Sequence, residues 1–226
     1  MMDVMEKIKG GLIVSCQALK TEPLYSSFIM ARMAYAAEEG GAVGIRANTP
    51  EDILAIKKEV DLPVIGLYKV DYDNSEIYIT PTMKEIDALM KVEPDIIAMD
   101  ATNRIRPDGS TIETFFPKVR EKYPDMLFMA DCSSYEDGMR AAELGFDMAG
   151  TTLCGFTEET KGQETPCFPM VKKLAEDMKI PLIAEGGIWL PEQLQHVFDC
   201  GAYAAVIGTA ITRPREITRR FVSAIA

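Results

Sequence analysis

A chain of 226 residues with 47% hydrophobic composition has the length and apolar content for one sizeable core. Its formal net charge of −11 disfavours a nucleic-acid binder, which carries a basic patch, but leaves anionic small molecules open, because their affinity depends on the local field of a site. No apolar run approaches the roughly 18–20 residues of a membrane span. Five cysteines with no CxxC pair, beside a single His, offer no zinc-type cluster and fit free thiols in a reducing cytoplasm.

Eight short runs rich in Val, Ile, Leu, Ala and Met alternate with helical patterns along the chain. The first is 12–17 (LIVSCQ). Its apolar stretch before Cys16 is too short for a secretory leader and reads as strand one. A helix over 24–39 follows and stops at Gly40-Gly41. Strand two is 42–46 (AVGIR), and Thr49-Pro50-Glu51 opens a helix over 50–60. Strand three is 64–69 (VIGLYK). The long loop 71–81 behind it, with Tyr72, Asn74 and Tyr78, reads either as a lid or substrate wall or as a solvated excursion. A helix over 82–92 leads to strand four, 96–101 (IIAMDA), and to a polar loop with the turn Pro107-Asp108-Gly109.

After a helix over 111–122 comes strand five, 127–132 (LFMADC). Ser134 is placed to cap a helix over 134–144, which Gly145 closes. Strand six is 148–153 (MAGTTL). The Thr- and Glu-rich segment 156–166 is a second lid candidate, followed by a helix over 168–179. Strand seven is 182–187 (LIAEGG), and Trp189 behind it reads either as a pocket-lining residue or, the favoured reading, as packing under a neighbouring loop. Pro191 opens a helix over 191–200 that carries His196 outside the strands and ends at Gly201. Strand eight is 205–210 (AVIGTA), and the last helix spans 214–225. No composition shift or linker divides the chain. Eight strands alternating with helices predict a single (β/α)8 TIM-barrel domain over 1–226, with its chemistry at the C-terminal ends of the strands.

The strand ends therefore line one pocket. Gly186 and Gly187 after strand seven, and Gly208 and Thr209 after strand eight, fit a phosphate site built on backbone N–H groups. Arg213 just beyond adds a bidentate donor. The competing reading is that these glycines only make tight turns. Lys69, behind an apolar IGLY, fits a partly desolvated general base with a lowered pKa, a Schiff-base amine, or a rim salt bridge. Glu185 stands across the mouth as a second proton-transfer group, or as a structural partner of Arg46. Asp100 and Asp131 on neighbouring strands suit hydrogen bonds to hydroxyls or orientation of Lys69. Gln17 and Arg46 complete the polar rim.

At these residues the chain resembles the N-acylglucosamine-6-phosphate (N-acetylmannosamine-6-phosphate) 2-epimerase family. The matching stretches are SCQA (15–18), GIRAN (44–48), IGLYK (65–69), DATNRIRPDG (100–109), ADCSS (130–134), GTTLCGFT (150–157), IAEGG (183–187) and IGTAITRP (207–214). They cover essentially the whole chain, and the runs after strands four and six are highly specific. The resemblance implies interconversion of N-acetylmannosamine 6-phosphate and N-acetylglucosamine 6-phosphate in amino-sugar and sialic acid breakdown, with no metal and no organic cofactor. It implies Lys69 and Glu185 as catalytic residues, Gln17, Arg46 and Asp131 as supporting polar residues, Arg213 as the strand-eight arginine, and a homodimer through helix 214–225. The chain departs from the pattern at Gly187, where many relatives carry a larger or basic residue. That departure concerns the phosphate loop and leaves Lys69 and Glu185 untouched.

Two rival readings are weaker. A pentose-phosphate epimerase of this size brings metal-binding His and Asp residues, and only His196 is available here. A ligand-sensing barrel would keep Gly186, Gly208 and Thr209 but has no need of Lys69 and Glu185 together. An RNA-binding version meets the acidic charge balance badly.

Overall fold

The computed structural model describes residues 3–225; Met1, Met2 and Ala226, the ends of the expected domain, lie outside the described residues. In chain order the elements are α1 (Val4–Ile8), β1 (Leu12–Cys16), α2 (Ser27–Glu39), β2 (Gly44–Asn48), α3 (Pro50–Ile56), β3 (Val64–Leu67), α4 (Met83–Met90) and β4 (Ile96–Asp100). Then follow α5 (Ile112–Lys122), β5 (Leu127–Asp131), α6 (Tyr135–Leu144), β6 (Met148–Gly150), α7 (Phe168–Asp177), β7 (Leu182–Glu185), α8 (Pro191–Asp199), β8 (Ala204–Ile207), α9 (Thr209–Thr212) and α10 (Pro214–Ser223). The strands pair in parallel, each with the next, and β8 closes on β1, which makes the (β/α)8 barrel.

The strand runs are apolar on both faces because both faces are covered. Successive side chains point to opposite sides of a strand. Ile13, Ile65, Ile96, Met129, Met148, Ile183 and Val206 fill the barrel interior, while Val14, Ile45, Ile97, Phe128, Ala149 and Ala205 face the helices. The predicted helix signals have direct partners. The Thr49 hydroxyl oxygen accepts from the Asp52 N–H ahead of Pro50, and Ser134 forms a capping box with Asp137. Gly145 takes the left-handed conformation that closes α6, where a Cβ would be strained.

Three expected strands are corrected, and one helix is added. Strand two lies at Gly44–Asn48 rather than 42–46, because the ladder starts where Gly44 meets Ile13; this puts Arg46 inside the barrel wall instead of at its end. Strand six stops at Gly150, three residues early, where the Thr151 side chain turns to the Glu185 backbone. Strand eight stops at Ile207, and Thr209–Thr212 coils into α9, an outcome that a short apolar run leaves open. Finally, α1 was not foreseen. Five residues are too few for a periodic signal, but its Ile8 is fully buried with the interior side chains.

Candidate active site

Counting in steps of two along six of the strands brings one or two polar side chains per file toward the C-terminal mouth. The files run Ile13-Ser15-Gln17, Gly44-Arg46-Asn48, Ile65-Leu67-Lys69, Met129-Asp131, Met148-Gly150-Thr152 and Ile183-Glu185. They surround a cavity of about 390 Å3. Gln17, Arg46, Lys69 and Glu185 line it with their side chains. Gly186, Gly187, Gly208, Thr209 and Arg213 line it as well, so the structure assembles nine of the ten predicted site residues around one space.

Lys69 sits just past β3, fixed by its backbone. Its N–H donates to Asn48 Oδ1 at 2.8 Å, and the chain pairs antiparallel with Ile79 on the returning loop. Burial pushes its ammonium down from the usual lysine range to about 8. The cations Arg46 and Arg213 add to this, against the opposing pull of Glu185 and Asp131. Lys69 makes no ion pair within 4.0 Å among the described residues, so the rim salt bridge is not its role here.

Arg46 is 1% exposed and holds two carboxylates. Its Nη2 donates to Asp131 Oδ2 at 2.6 Å, and its Nη1 lies 2.9 Å from Glu185 Oε2. Burial opposes the guanidinium charge, and the two anions outweigh it, so its titration is raised. Glu185 is pushed up to about 7, first by burial and then by Asp131, while Arg46 pulls it down. A carboxylic acid and an amine whose ordinary titrations lie far apart are thus drawn into one pH region at one cavity, which they face from opposite sides of the barrel, β7 and the end of β3.

The glycine loop follows Glu185 directly and lines the same cavity. Gly186 and Gly187 both have positive φ, +103° and +73°. Among the described residues, no backbone acceptor takes the N–H of Gly186, Gly187 or Thr209. Unpaired N–H groups at a cavity form an anion cradle. Thr212 Oγ1 donates to Ser15 O at 2.7 Å and ties α9 down beside the cradle. Arg213 leans away toward Glu22, 3.4 Å distant. A Cβ built on Gly187 meets the Cβ of Thr165 at 2.5 Å and its carbonyl carbon at 2.6 Å. Gly187→Ala must therefore push the 156–166 segment outward. Stability is expected to fall by about 1–3 kcal/mol and the substrate KM to rise by roughly an order of magnitude. Thermal unfolding and steady-state kinetics check this, and unchanged values of both would remove the close approach as the reason for glycine here.

Asp131 is the predicted residue that the structure moves off the cavity wall. It is fully buried, and its two oxygens are taken by Arg46 and by the Thr152 hydroxyl. Asp100 is likewise withdrawn, spent on Thr102 and on Arg104 at 2.6 Å. Trp189 lines the cavity, contrary to its favoured reading as a packing residue, and carries the Arg220 guanidinium 4.8 Å from its ring centre. The loop 71–81 is a wall: Tyr78 and Ile79 reach the cavity, and Asn74 and Ser75 donate to the carbonyls of Pro107 and Ile105. Phe156 and Thr165 bring the 156–166 segment to the same rim, and exposed His196 packs edge-on against Phe168 outside the barrel. Thr152 and Asn48 escaped the sequence reading as site residues. Thr152 was within reach by continuing its file two residues past Gly150.

Fold and site define a parallel-barrel isomerase-type centre, with a lysine and a glutamic acid at the C-terminal mouth beside an anion cradle. The family model described as "Putative N-acetylmannosamine-6-phosphate epimerase" matches residues 30–226. A protein of Caldanaerobacter subterraneus subsp. tengcongensis named "Putative N-acetylmannosamine-6-phosphate 2-epimerase" is 55% identical over 99% of this chain and 94% of its own. One of the same name from Listeria monocytogenes is 52% identical over 98% and 94%. The solved structure of the N-acetylmannosamine-6-phosphate 2-epimerase from Clostridium perfringens superposes with a TM-score of 0.93 at 50% identity, covering 97% of this chain and 95% of that one. The chain belongs to the N-acetylmannosamine-6-phosphate epimerase family. A thiamine phosphate pyrophosphorylase from Pyrococcus furiosus, at 18% identity and a TM-score of 0.65, shares the fold alone.

Proposed function

We propose that this protein interconverts N-acetylmannosamine 6-phosphate and N-acetylglucosamine 6-phosphate by proton transfer at carbon 2, with Lys69 and Glu185 as the proton-transfer groups. The observation that carries this is the pair itself: Lys69 past β3 and Glu185 on β7 face one cavity from opposite sides of the barrel, and burial draws their titrations to about 8 and about 7. In the open-chain sugar the carbon 1 aldehyde acidifies the carbon 2 proton. Neutral Lys69 takes that proton, and the substrate's own carbonyl receives the electrons, so no metal or organic cofactor enters the scheme. Arg46, itself buried, supplies fixed positive charge beside the developing enolate. Return of a proton to the opposite face from neutral Glu185 inverts carbon 2, and the reverse reaction exchanges the two roles.

The phosphate is assigned to the backbone N–H groups of Gly186, Gly187, Gly208 and Thr209, with Arg213 turning from Glu22 to meet it. Gln17 is assigned to the sugar or its amide. Its Nε2 donates to Ser15 Oγ at 2.8 Å, and its Oε1 is buried without a partner, which leaves one acceptor for the substrate. Five free thiols fit a reducing cytoplasm, and amino-sugar and sialic acid breakdown is the setting in which such a substrate arises. No helix of the described residues is long and apolar enough to cross a membrane.

A homodimer completes the proposal. Helix α10 buries none of its residues, yet Phe221 is 73% exposed and Ile225 just beyond it 88%. An apolar helix face left in water marks an interface. Phe221→Asp combined with Val222→Asp is expected to turn a dimer into a monomer by light scattering; a wild-type protein that is already monomeric contradicts the assignment.

The chemical proposal is tested by the pH dependence of turnover. One group must be neutral and the other protonated, so the rate is expected to follow a bell with its maximum between about 7 and about 8. Below the maximum Lys69 is locked as ammonium; above it Glu185 has lost its proton. A rate independent of pH across that region would exclude this pair.

A further inference from the structure

The threonine pair after β6 belongs to Glu185. Thr151 Oγ1 donates to the Glu185 carbonyl at 2.8 Å and accepts from the Glu185 N–H at 3.0 Å, so one side chain clamps the backbone from both sides. The next residue holds the carboxyl group. Thr152 Oγ1 lies 2.6 Å from Asp131 Oδ1 and 3.1 Å from Glu185 Oε2. With Arg46 this closes a four-membered ring of side chains, Arg46 to Asp131 to Thr152 to Glu185 and back to Arg46.

The ring is short of protons. A hydroxyl has one to give, and the shorter contact assigns it to Asp131. Asp131 is fully buried and already takes Arg46 Nη2, so its two oxygens face two donors. The guanidinium then balances Asp131, and a second buried carboxylate at Glu185 would leave the ring with net negative charge. A proton on Glu185 Oε2 removes that charge and finds an acceptor in the Thr152 oxygen. The Thr152 hydroxyl would lower the Glu185 titration only by donating to it, and its proton is committed elsewhere. Oε2 is thus occupied by Arg46 and Thr152, and no protein group bonds Oε1 among the described residues.

We propose that Thr152 is a positioning residue of the site: it anchors Asp131 through its proton and keeps Glu185 in the acid form through its oxygen. This rests on Glu185 being a proton-transfer group. The other charged or titratable groups facing Glu185 are Arg46 from β2, Lys69 past β3, Tyr78 from the following loop, Asp131 from β5 and Arg213 past β8. None of them offers Oε2 an acceptor, since Asp131 is reached only through Thr152.

The test compares wild type with Thr152→Val, Thr152→Ala, Thr152→Ser and Glu185→Gln, by kcat and KM across the pH profile and by thermal unfolding. Thr152→Val and Thr152→Ala are expected to lose about ten- to a hundred-fold in kcat, in the range for partners that orient a catalytic group, with KM within about two-fold. The Glu185 limb should move to lower pH, because the acid form has lost its acceptor. Thr152→Ser should restore both the rate and the limb. Should Thr152→Val fail to fold, Thr152→Ala, which leaves space for a water, carries the same comparison. A limb that stays in place or moves to higher pH, or a serine variant no better than valine, overturns the proposal. The function reading falls separately: it fails if wild type does not epimerise the sugar phosphate or if Glu185→Gln turns over normally.

Discussion

Lys69→Ala is expected to lower kcat by about three to four orders of magnitude and to leave KM within a few-fold. Loss of a positioned general base removes roughly 10²–10⁴ of rate, and the upper part applies because no other neutral amine faces the cavity. KM survives because the anion cradle lies on the far wall, in the backbone of Gly186, Gly187 and Thr209. Lys69→Arg should be as inactive as the alanine variant. A guanidinium stays charged at every accessible pH and takes no proton. Binding of the sugar phosphate, read by calorimetry, should persist in both variants while turnover is lost. An alanine variant with turnover near that of wild type would end the assignment of Lys69 as base.

The second large effect is on stability. Arg46→Met leaves Asp131 and Glu185 facing each other in the barrel with no cation between them. Breaking one partner of a buried ion pair costs about 3–5 kcal/mol, which in a chain of this size lowers Tm by roughly 6–20 °C. The pH dependence has a definite sign. Without Arg46, the folded-state pKa values of these carboxylates rise above their unfolded values, so the folded protein binds more protons. The penalty is full above the folded pKa and shrinks as pH falls through it. The variant should therefore approach wild type in acid, beginning above the wild-type Glu185 titration at about 7, because Arg46 no longer pulls that titration down. Asp131→Asn added to Arg46→Met should recover part of the loss. A single variant that melts within about 2 °C of wild type at neutral pH, or whose deficit grows in acid, contradicts the buried-ring account.

Much of this was legible in the residues, for reasons that differ by element. The eight strands stood out because each is an apolar run buried on both faces. The ends of α3, α6 and α8 were marked by Pro, Ser and Gly in positions where backbone geometry demands them. Strand ends were less legible, because a run such as AVIGTA carries no signal for where a ladder stops and α9 begins. That boundary is set by Thr212 bonding across to the Ser15 carbonyl, a contact made by residues 197 apart in sequence. The same holds in the site. Lys69 and Glu185 could be picked out as charged residues closing apolar strands. Asp131 has the same local signature, yet it lies behind Arg46, and only the register between β2 and β5 decides which carboxylate meets the cavity. Thr152 was hidden differently: an uncharged hydroxyl in an apolar run gives no local sign that it stands between two carboxylates.

The central claim is that carbon 2 of the sugar exchanges its proton during turnover. Proton NMR of N-acetylmannosamine 6-phosphate with the purified protein in deuterated water, without added metal, tests it directly. The account predicts conversion to the gluco epimer with deuterium appearing at carbon 2, and no conversion with Lys69→Ala. Folded protein that produces neither conversion nor exchange would contradict it.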